Sequence, residues 1–127
     1  VTAALIIQDD RVLIAQRAAP PSLKGFWEFP GGKLEDGESL EECLIREIRE
    51  ELEVEVSISR WYGESIYEYD SGSINLQAFV CVLEKGSLKP NAHSKLVWSS
   101  LEELSQWQFL PADIPFVERL VAEGLPG

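Results

Sequence analysis

The sequence predicts a mixed α+β domain, and three observations carry that expectation. Aliphatic and β-branched runs, several with period-two alternation, mark strands through most of the chain. One amphipathic helix is announced by a capping box. No internal repeat, low-complexity tract or linker divides the 127 residues, so a single domain over residues 1–127 is expected. That length buries roughly two-thirds of the unfolded surface, enough for a real core.

The elements follow in order. Val1–Ile7 and Val12–Gln16 are apolar runs separated by Gln8-Asp9-Asp10-Arg11, which predicts a hairpin. Pro20-Pro21 opens a loop that lasts to Gly25. Phe26–Phe29 is aromatic, and Pro30-Gly31-Gly32 ends any regular structure there. Ser39 with Glu42 forms a capping box, so a helix begins at Leu40. Leu40, Cys43, Leu44, Ile48 and Leu52 give it one apolar face, which makes Cys43 a small core residue. From Val54 the period changes to two, with Val54, Val56 and Ile58 facing one way. Trp61–Tyr69 continues as strand, Asp70–Ser73 turns, and Ile74–Leu83 returns. A loop over 85–94 leads to a short strand at Leu96–Trp98. Ser100 and Glu103 cap a short helix. Pro111 and Pro115 flank the start of a last helix, with Phe116, Leu120 and Val121 as its apolar stripe.

The charge balance is unusual. There are 22 acids against 11 bases, a net of -11. Such a surface repels phosphate backbones and anionic bilayers, so neither nucleic acid nor membrane is an expected partner. No apolar run approaches the roughly 18 residues of a membrane span. Val1 and the absence of Met suggest a missing extreme N-terminus, with no signal-peptide pattern. Cys43 and Cys81 form no metal spacing or disulfide framework, which points to a reducing cytoplasmic setting.

The acids are concentrated. Residues 35–55 hold ten of them, against only Arg46 and Arg49. On the predicted helix Glu47, Glu50 and Glu51 fall at i, i+3 and i+4, so three carboxylates share one face. Unpaired, they repel. A hard divalent cation such as Mg2+, which takes oxygen ligands, gives a fold a reason to keep them. The apolar stripe lies on the far side, so these carboxylates are expected to point away from the core. Just before the helix, Gly31-Gly32 lets backbone approach a phosphate or metal, and Lys33 adds a point charge for phosphate.

These residues identify a family resemblance. Gly32, five residues, Glu38, seven residues, then Arg46-Glu47-Ile48-Arg49-Glu50-Glu51-Leu52-Glu53-Val54 is similar to the Nudix box. The pattern departs only at Glu53, where the family has Gly, which puts the helix exit in question. The resemblance implies the Nudix fold, a mixed sheet sandwiched between helices. It implies Glu47, Glu50, Glu51 and the Gly31 carbonyl as metal ligands, for Mg2+ with Mn2+ as the alternative. It implies Glu38 pairing with Arg46 to brace the loop, with Gly32 in support. Glu47, Glu50 and Lys33 become the candidate catalytic residues.

The resemblance runs over nearly the whole chain. Ala15–Ala18 and Phe26–Glu35 look like segments of MutT-like nucleoside triphosphate pyrophosphohydrolases. Pro111-Ala112-Asp113-Ile114-Pro115 looks like the CTP pyrophosphohydrolase branch; relatives that read oxidised guanine commonly have Asn at the position of Asp113. An ionised Asp only accepts hydrogen bonds, so it seeks a base amine such as cytosine N4. A protonated Asp would serve oxo-purines, adenine also offers an amine, and helix capping is a third role for Asp113. By resemblance Arg17 contacts the phosphates. Trp27 and Phe79 are candidates for the base pocket, although alternation with Ile74 and Leu76 also suits Phe79 to the core.

The implied reaction is Mg2+-dependent hydrolysis of a nucleoside triphosphate to monophosphate and pyrophosphate, as in nucleotide-pool cleansing. An 8-oxo-dGTP diphosphatase and a weakly active nucleotide-binding module are the alternatives. The last arises because many MutT-like members carry a Glu where this chain has Ala92, just before His93. Glu47 would then take the proton, or Glu64, Glu68 or Asp70 would substitute. His93 is itself a candidate base, with a structural hydrogen bond as its plainer role. Oligomeric state and sugar preference stay open at this stage.

Overall fold

The protein is described by a computed structural model over residues 1–126; Gly127, the last residue of the expected domain, lies outside the described residues. Strand β1 (Thr2–Gln8) turns into β2 (Arg11–Arg17) through Asp9 and Asp10, whose φ angles are 50° and 61°. A two-residue loop with both residues at positive φ matches the twist of an antiparallel hairpin, and Asp tolerates that conformation. Ile7 faces Val12 and Gln8 faces Arg11 across it.

Beyond this corner the two strands part. β1 pairs in parallel with β5 (Gly72–Lys85), whose other edge carries β4 (Glu55–Tyr69) antiparallel. β2 pairs antiparallel with β3 (Trp27–Glu28) and with β6 (His93–Ser99). The result is a mixed six-stranded sheet. The expected stretches 54–58 and 61–69 join in one strand that starts at Glu55, and three irregularities shift its register against β5. The turn before β5 narrows to Asp70-Ser71, and β6 begins at His93, earlier than its apolar residues indicate.

Helix α1 (Leu40–Leu52) covers one face of the sheet. Leu44, Ile48 and Leu52 are fully buried there against Ala4, Ile6, Leu13, Phe79 and Cys81. Fully burying one such aliphatic side chain contributes roughly 1.5–3 kcal/mol, whereas a like-charge pair on a helix surface costs only about 0.2–0.5 kcal/mol. The apolar face therefore outweighs the acidic one and docks the helix. Helices α2 (Leu101–Leu104) and α3 (Ile114–Glu123) cover the other face, where Leu104, Phe116, Val117 and Leu120 meet Ala3, Leu5, Val12 and Ile14. The expected sandwich of helix, sheet and helix is present. Val121 is a correction: it is half-exposed, and Val117 takes its place in the stripe. Among the described residues, no helix is long and apolar enough to cross a membrane.

Candidate active site

The loop before α1 is strapped to the start of β1. Thr2 N–H donates to the Gly32 carbonyl at 2.8 Å and Ala4 N–H to the Pro30 carbonyl at 2.7 Å. The Gly31 carbonyl between them accepts no hydrogen bond among the described residues. Close approach, not torsion, demands both glycines. A Cβ on Gly31 would strike the Thr2 carbonyl, and one on Gly32 would strike the Glu47 carboxylate.

Ser39 and Glu42 form the capping box at the start of α1, with bonds of 3.1 and 2.9 Å. One turn on, Arg46 becomes the hub of the loop and helix. Its Nε and Nη2 grip Glu38, and Nη2 also donates to the Lys33 carbonyl at 3.1 Å. Its Nη1 reaches Glu47 Oε1 at 3.0 Å and Glu50 Oε1 at 2.9 Å. The carboxylates raise the Arg46 guanidinium still further, and Arg46 in turn, with the Glu35 backbone N–H, holds the Glu38 carboxyl below its usual range.

The three box carboxylates do not all point away from the core, as the helix periodicity suggested. Glu50 is exposed; Glu47 and Glu51 sit half-buried at the rim, Glu47 against Gly32 and Glu51 near Gly31, His93 and Glu28. Glu51 Oε1 is buried with no hydrogen-bond partner among the described residues. Burial raises the Glu51 carboxyl to about 7, Glu28 and Glu47 add to the rise, and His93 and a backbone hydrogen bond from Gly31 oppose it. As the side chains stand, no three acidic, His or Cys groups among the described residues are gathered closely enough to hold an ion. Arg46 occupies two of the carboxylates. The donor set still fits a hard cation: three carboxylates, one of them with an orphaned oxygen, beside a free carbonyl at Gly31.

A cavity of about 630 Å3 opens from this rim. Its lining combines Gly31, Gly32, Lys33, Arg17 and Glu28 with Phe29, Leu76, Leu110, Ala112 and Asp113, and Tyr69, Asp70 and Pro20 also border it. Asp113 is 4% exposed, and its Oδ1 accepts the Phe29 N–H at 3.0 Å. Burial, then nearby Glu28, holds its carboxyl well above the usual carboxylate range. Asp113 occupies the N-cap position of α3 but its side chain makes no capping bond. β3 anchors this segment through Trp27 N–H to Gln108 O at 2.8 Å and Leu110 N–H to Trp27 O at 2.9 Å.

The model of the NUDIX domain matches residues 1–120. The chain belongs to the NUDIX domain family. It is 40% identical over 122 residues to the CTP pyrophosphohydrolase of Escherichia coli K12, covering 96% of this chain and 90% of that one. It is 37% identical to the putative 8-oxo-dGTP diphosphatase 2 of Mycobacterium tuberculosis H37Rv, covering 89% and 81%. The solution structure of the E. coli ORF135 protein superposes with a TM-score of 0.82 at 39% identity, covering 95% and 86%. The chain is therefore an enzyme of the Nudix hydrolase family, a family that generally uses divalent metal ions.

Within this Nudix domain the departure at Glu53 is resolved locally. Glu53 takes the left-handed conformation itself, φ 57° and ψ 36°, at the C-cap of α1. Asn91 Nδ2 holds its carboxylate at 2.6 Å, and the N–H groups of Lys89 and Asn91 satisfy the carbonyls of Leu52 and Glu51. A loop residue supplies what glycine supplies elsewhere.

The structure brings together Gly31, Gly32, Lys33, Arg17 and Asp113 around the cavity, and it excludes two of the expected residues. Trp27 packs on Trp107 with centroids 4.7 Å apart, in the core. Phe79 lies under α1. Phe29 and Leu76, whose side chains reach the cavity, are the wall instead. Glu64 is spent on Asn75 and Gln77, and Glu68 on Ser73. His93 is 2% exposed, with Nε2 2.9 Å from Glu28 Oε2, the plainer structural role. Glu28 is the residue that sequence reasoning missed: it also meets Arg17 Nη1 at 3.4 Å. Its signal was a lone acid between Trp27 and Phe29, two aromatics that both become buried.

Proposed function

We propose that this Nudix hydrolase cleaves a cytosine (deoxy)nucleoside triphosphate to the monophosphate and pyrophosphate, with Mg2+ as cofactor and Mn2+ as substitute. It would act as a single cytoplasmic domain over residues 1–127, removing unwanted nucleotides from the pool, with no nucleic-acid or membrane partner. The observation that carries this is that one cavity is lined both by a buried Asp113 among apolar side chains and by Lys33, Arg17 and Gly32, against which the Glu47 carboxylate of α1 packs. A base would fit the first group and phosphates the second.

Glu47, Glu50, Glu51 and the Gly31 carbonyl would hold the metal. Bound there, a divalent ion lowers the pKa of water and offsets charge on the phosphates. Lys33 and Arg17 add positive charge along the same path. Glu47, partly shielded and held by Arg46, is the proton acceptor near the reacting end. Asp113 accepts from the base amine, with the Phe29 N–H fixing its other oxygen.

One observation favours a second substrate. Burial holds the Asp113 carboxyl toward its neutral form. A neutral carboxyl donates, which suits the oxo group of an oxidised purine such as 8-oxo-dGTP. A panel of CTP, dCTP, 5-substituted dCTP, UTP, ATP, GTP and 8-oxo-dGTP with Mg2+, scored for monophosphate and pyrophosphate, decides between the two. If none is cleaved while nucleotides still raise the melting temperature, the binding-module alternative replaces both.

A further inference from the structure

Tyr69 ends β4 at the margin of the cavity, and none of the roles above uses it. Its hydroxyl accepts the Ala112 N–H at 3.0 Å. An accepting hydroxyl still carries its own proton, and that proton finds no acceptor among the described residues. The next residue is Asp113, whose Oδ1 is taken by Phe29 and whose Oδ2 makes no hydrogen bond among the described residues. The cavity wall thus presents two unspent polar groups side by side, an O–H donor and a carboxyl oxygen. Leu76, Leu110 and Phe29 surround them. In apolar surroundings a polar group left unmet is costly, so both select for a ligand that satisfies them.

We propose that Tyr69 is a specificity-determining residue: its hydroxyl donates to a ring nitrogen of the nucleobase while Oδ2 of the ionised Asp113 accepts from the exocyclic amine next to it. The ligand class is a base with an acceptor beside an amine, as in cytosine. Uracil reverses the pattern, with an N–H beside a carbonyl, so each protein group would face its own kind. The tyrosine is set in advance for this task. The Ala112 bond fixes its hydroxyl, and the Tyr67 ring, with centroids 4.7 Å apart, supports its ring. Positioned donors of this sort cost little to bring to a ligand.

The inference rests on the proposal that the cavity holds the base of a nucleoside triphosphate, and the test separates the two. Tyr69→Phe keeps the ring and removes only the hydroxyl. kcat/KM for CTP and UTP is measured for wild type and variant, with GTP as control. The expected result is a CTP preference in wild type that falls about tenfold in the variant through a higher KM for CTP, the scale of one lost hydrogen bond. A preference retained within twofold overturns the role of Tyr69 and leaves the cavity assignment standing. An equal loss on CTP, UTP and GTP also overturns it, because it would mark Tyr69 as a structural tie to Ala112. A wild-type enzyme that does not distinguish CTP from UTP overturns both.

Discussion

Arg46 grips Glu38 along one edge of its guanidinium, Nε to Oε2 at 2.6 Å and Nη2 to Oε1 at 3.0 Å. The remaining Nη1 lies between Glu47 and Glu50. One planar group therefore fixes the loop with two donors and the candidate metal ligands with a third. Lysine supplies a charge but no fork. Arg46→Lys should fold, with far-UV circular dichroism unchanged, yet lose about 10–100-fold in turnover, the usual scale for a residue that orients ligands. Turnover at wild-type level would show that the fork does not order the carboxylates.

Gly31 and Gly32 adjoin each other but should fail differently. A Cβ on Gly31 meets the Thr2 carbonyl, which is backbone within β1. Gly31→Ala must displace the loop from the strand and should lower the melting temperature sharply. A Cβ on Gly32 meets first the far end of Glu47. That carboxylate can swing away, so Gly32→Ala should cost turnover far more than thermal stability. Equal losses of melting temperature in the two variants would contradict this distinction.

How much was legible in the sequence follows from how local each signal is. Ser39, Glu42 and the stripe through Leu52 act within four residues of one another, and α1 begins at Leu40 as they require. The family resemblance likewise implied Arg46 paired with Glu38, and the two are bonded. The cavity wall was less legible because it depends on which side of a strand faces which layer. Phe79 and Leu76 lie three apart on β5, so they face opposite helical layers, and only tertiary packing tells which layer holds the cavity. Glu28 escaped notice for the same reason: Arg17 reaches it across the β2–β3 pairing and His93 reaches it from β6, 65 residues away in sequence.

Glu51 links pH to metal binding. Burial pushes its carboxyl up to about 7 in the fold, against about 4.5 for an ordinary glutamate. The folded state therefore binds its proton more tightly than the unfolded state. The stability this gives is fully present below about pH 4.5 and is lost as pH rises through about 7. Without metal, melting temperature should carry a falling component over that window, and Glu51→Gln should abolish it. Mg2+ needs the ionised form, so its stabilisation of wild type should grow over the same window and vanish in the variant. A Mg2+ effect independent of pH between 5 and 8 would remove Glu51 from the ligand set.

Ala92 marks the missing loop carboxylate, and it is exposed one residue before His93. A general base that limits the rate is worth about 10²–10⁴-fold. With Glu47 as acceptor and the box complete, wild type should be active and Ala92→Glu should gain less than about tenfold, a small part of that range. Single-turnover rates on the preferred nucleotide measure this. A gain of a hundredfold or more would mean that the natural site lacks its base.

Asp113→Asn tests base reading and burial together. Asn keeps an oxygen for the Phe29 N–H, so the 3.0 Å bond survives the change. It replaces the other oxygen with a donor, and preference should move from cytosine toward oxo-bases by about 1–3 kcal/mol, roughly 5- to 150-fold in relative kcat/KM. The stability effect has its own sign. The Asp113 carboxyl is raised in the fold, so the wild type loses stability as pH climbs through that raised value. Asn does not titrate, so the variant should gain on wild type as pH increases. A variant with unchanged preference but the expected pH behaviour would leave Asp113 as a buried acid beside the site, and the base would have to be read by Tyr69 and backbone groups instead.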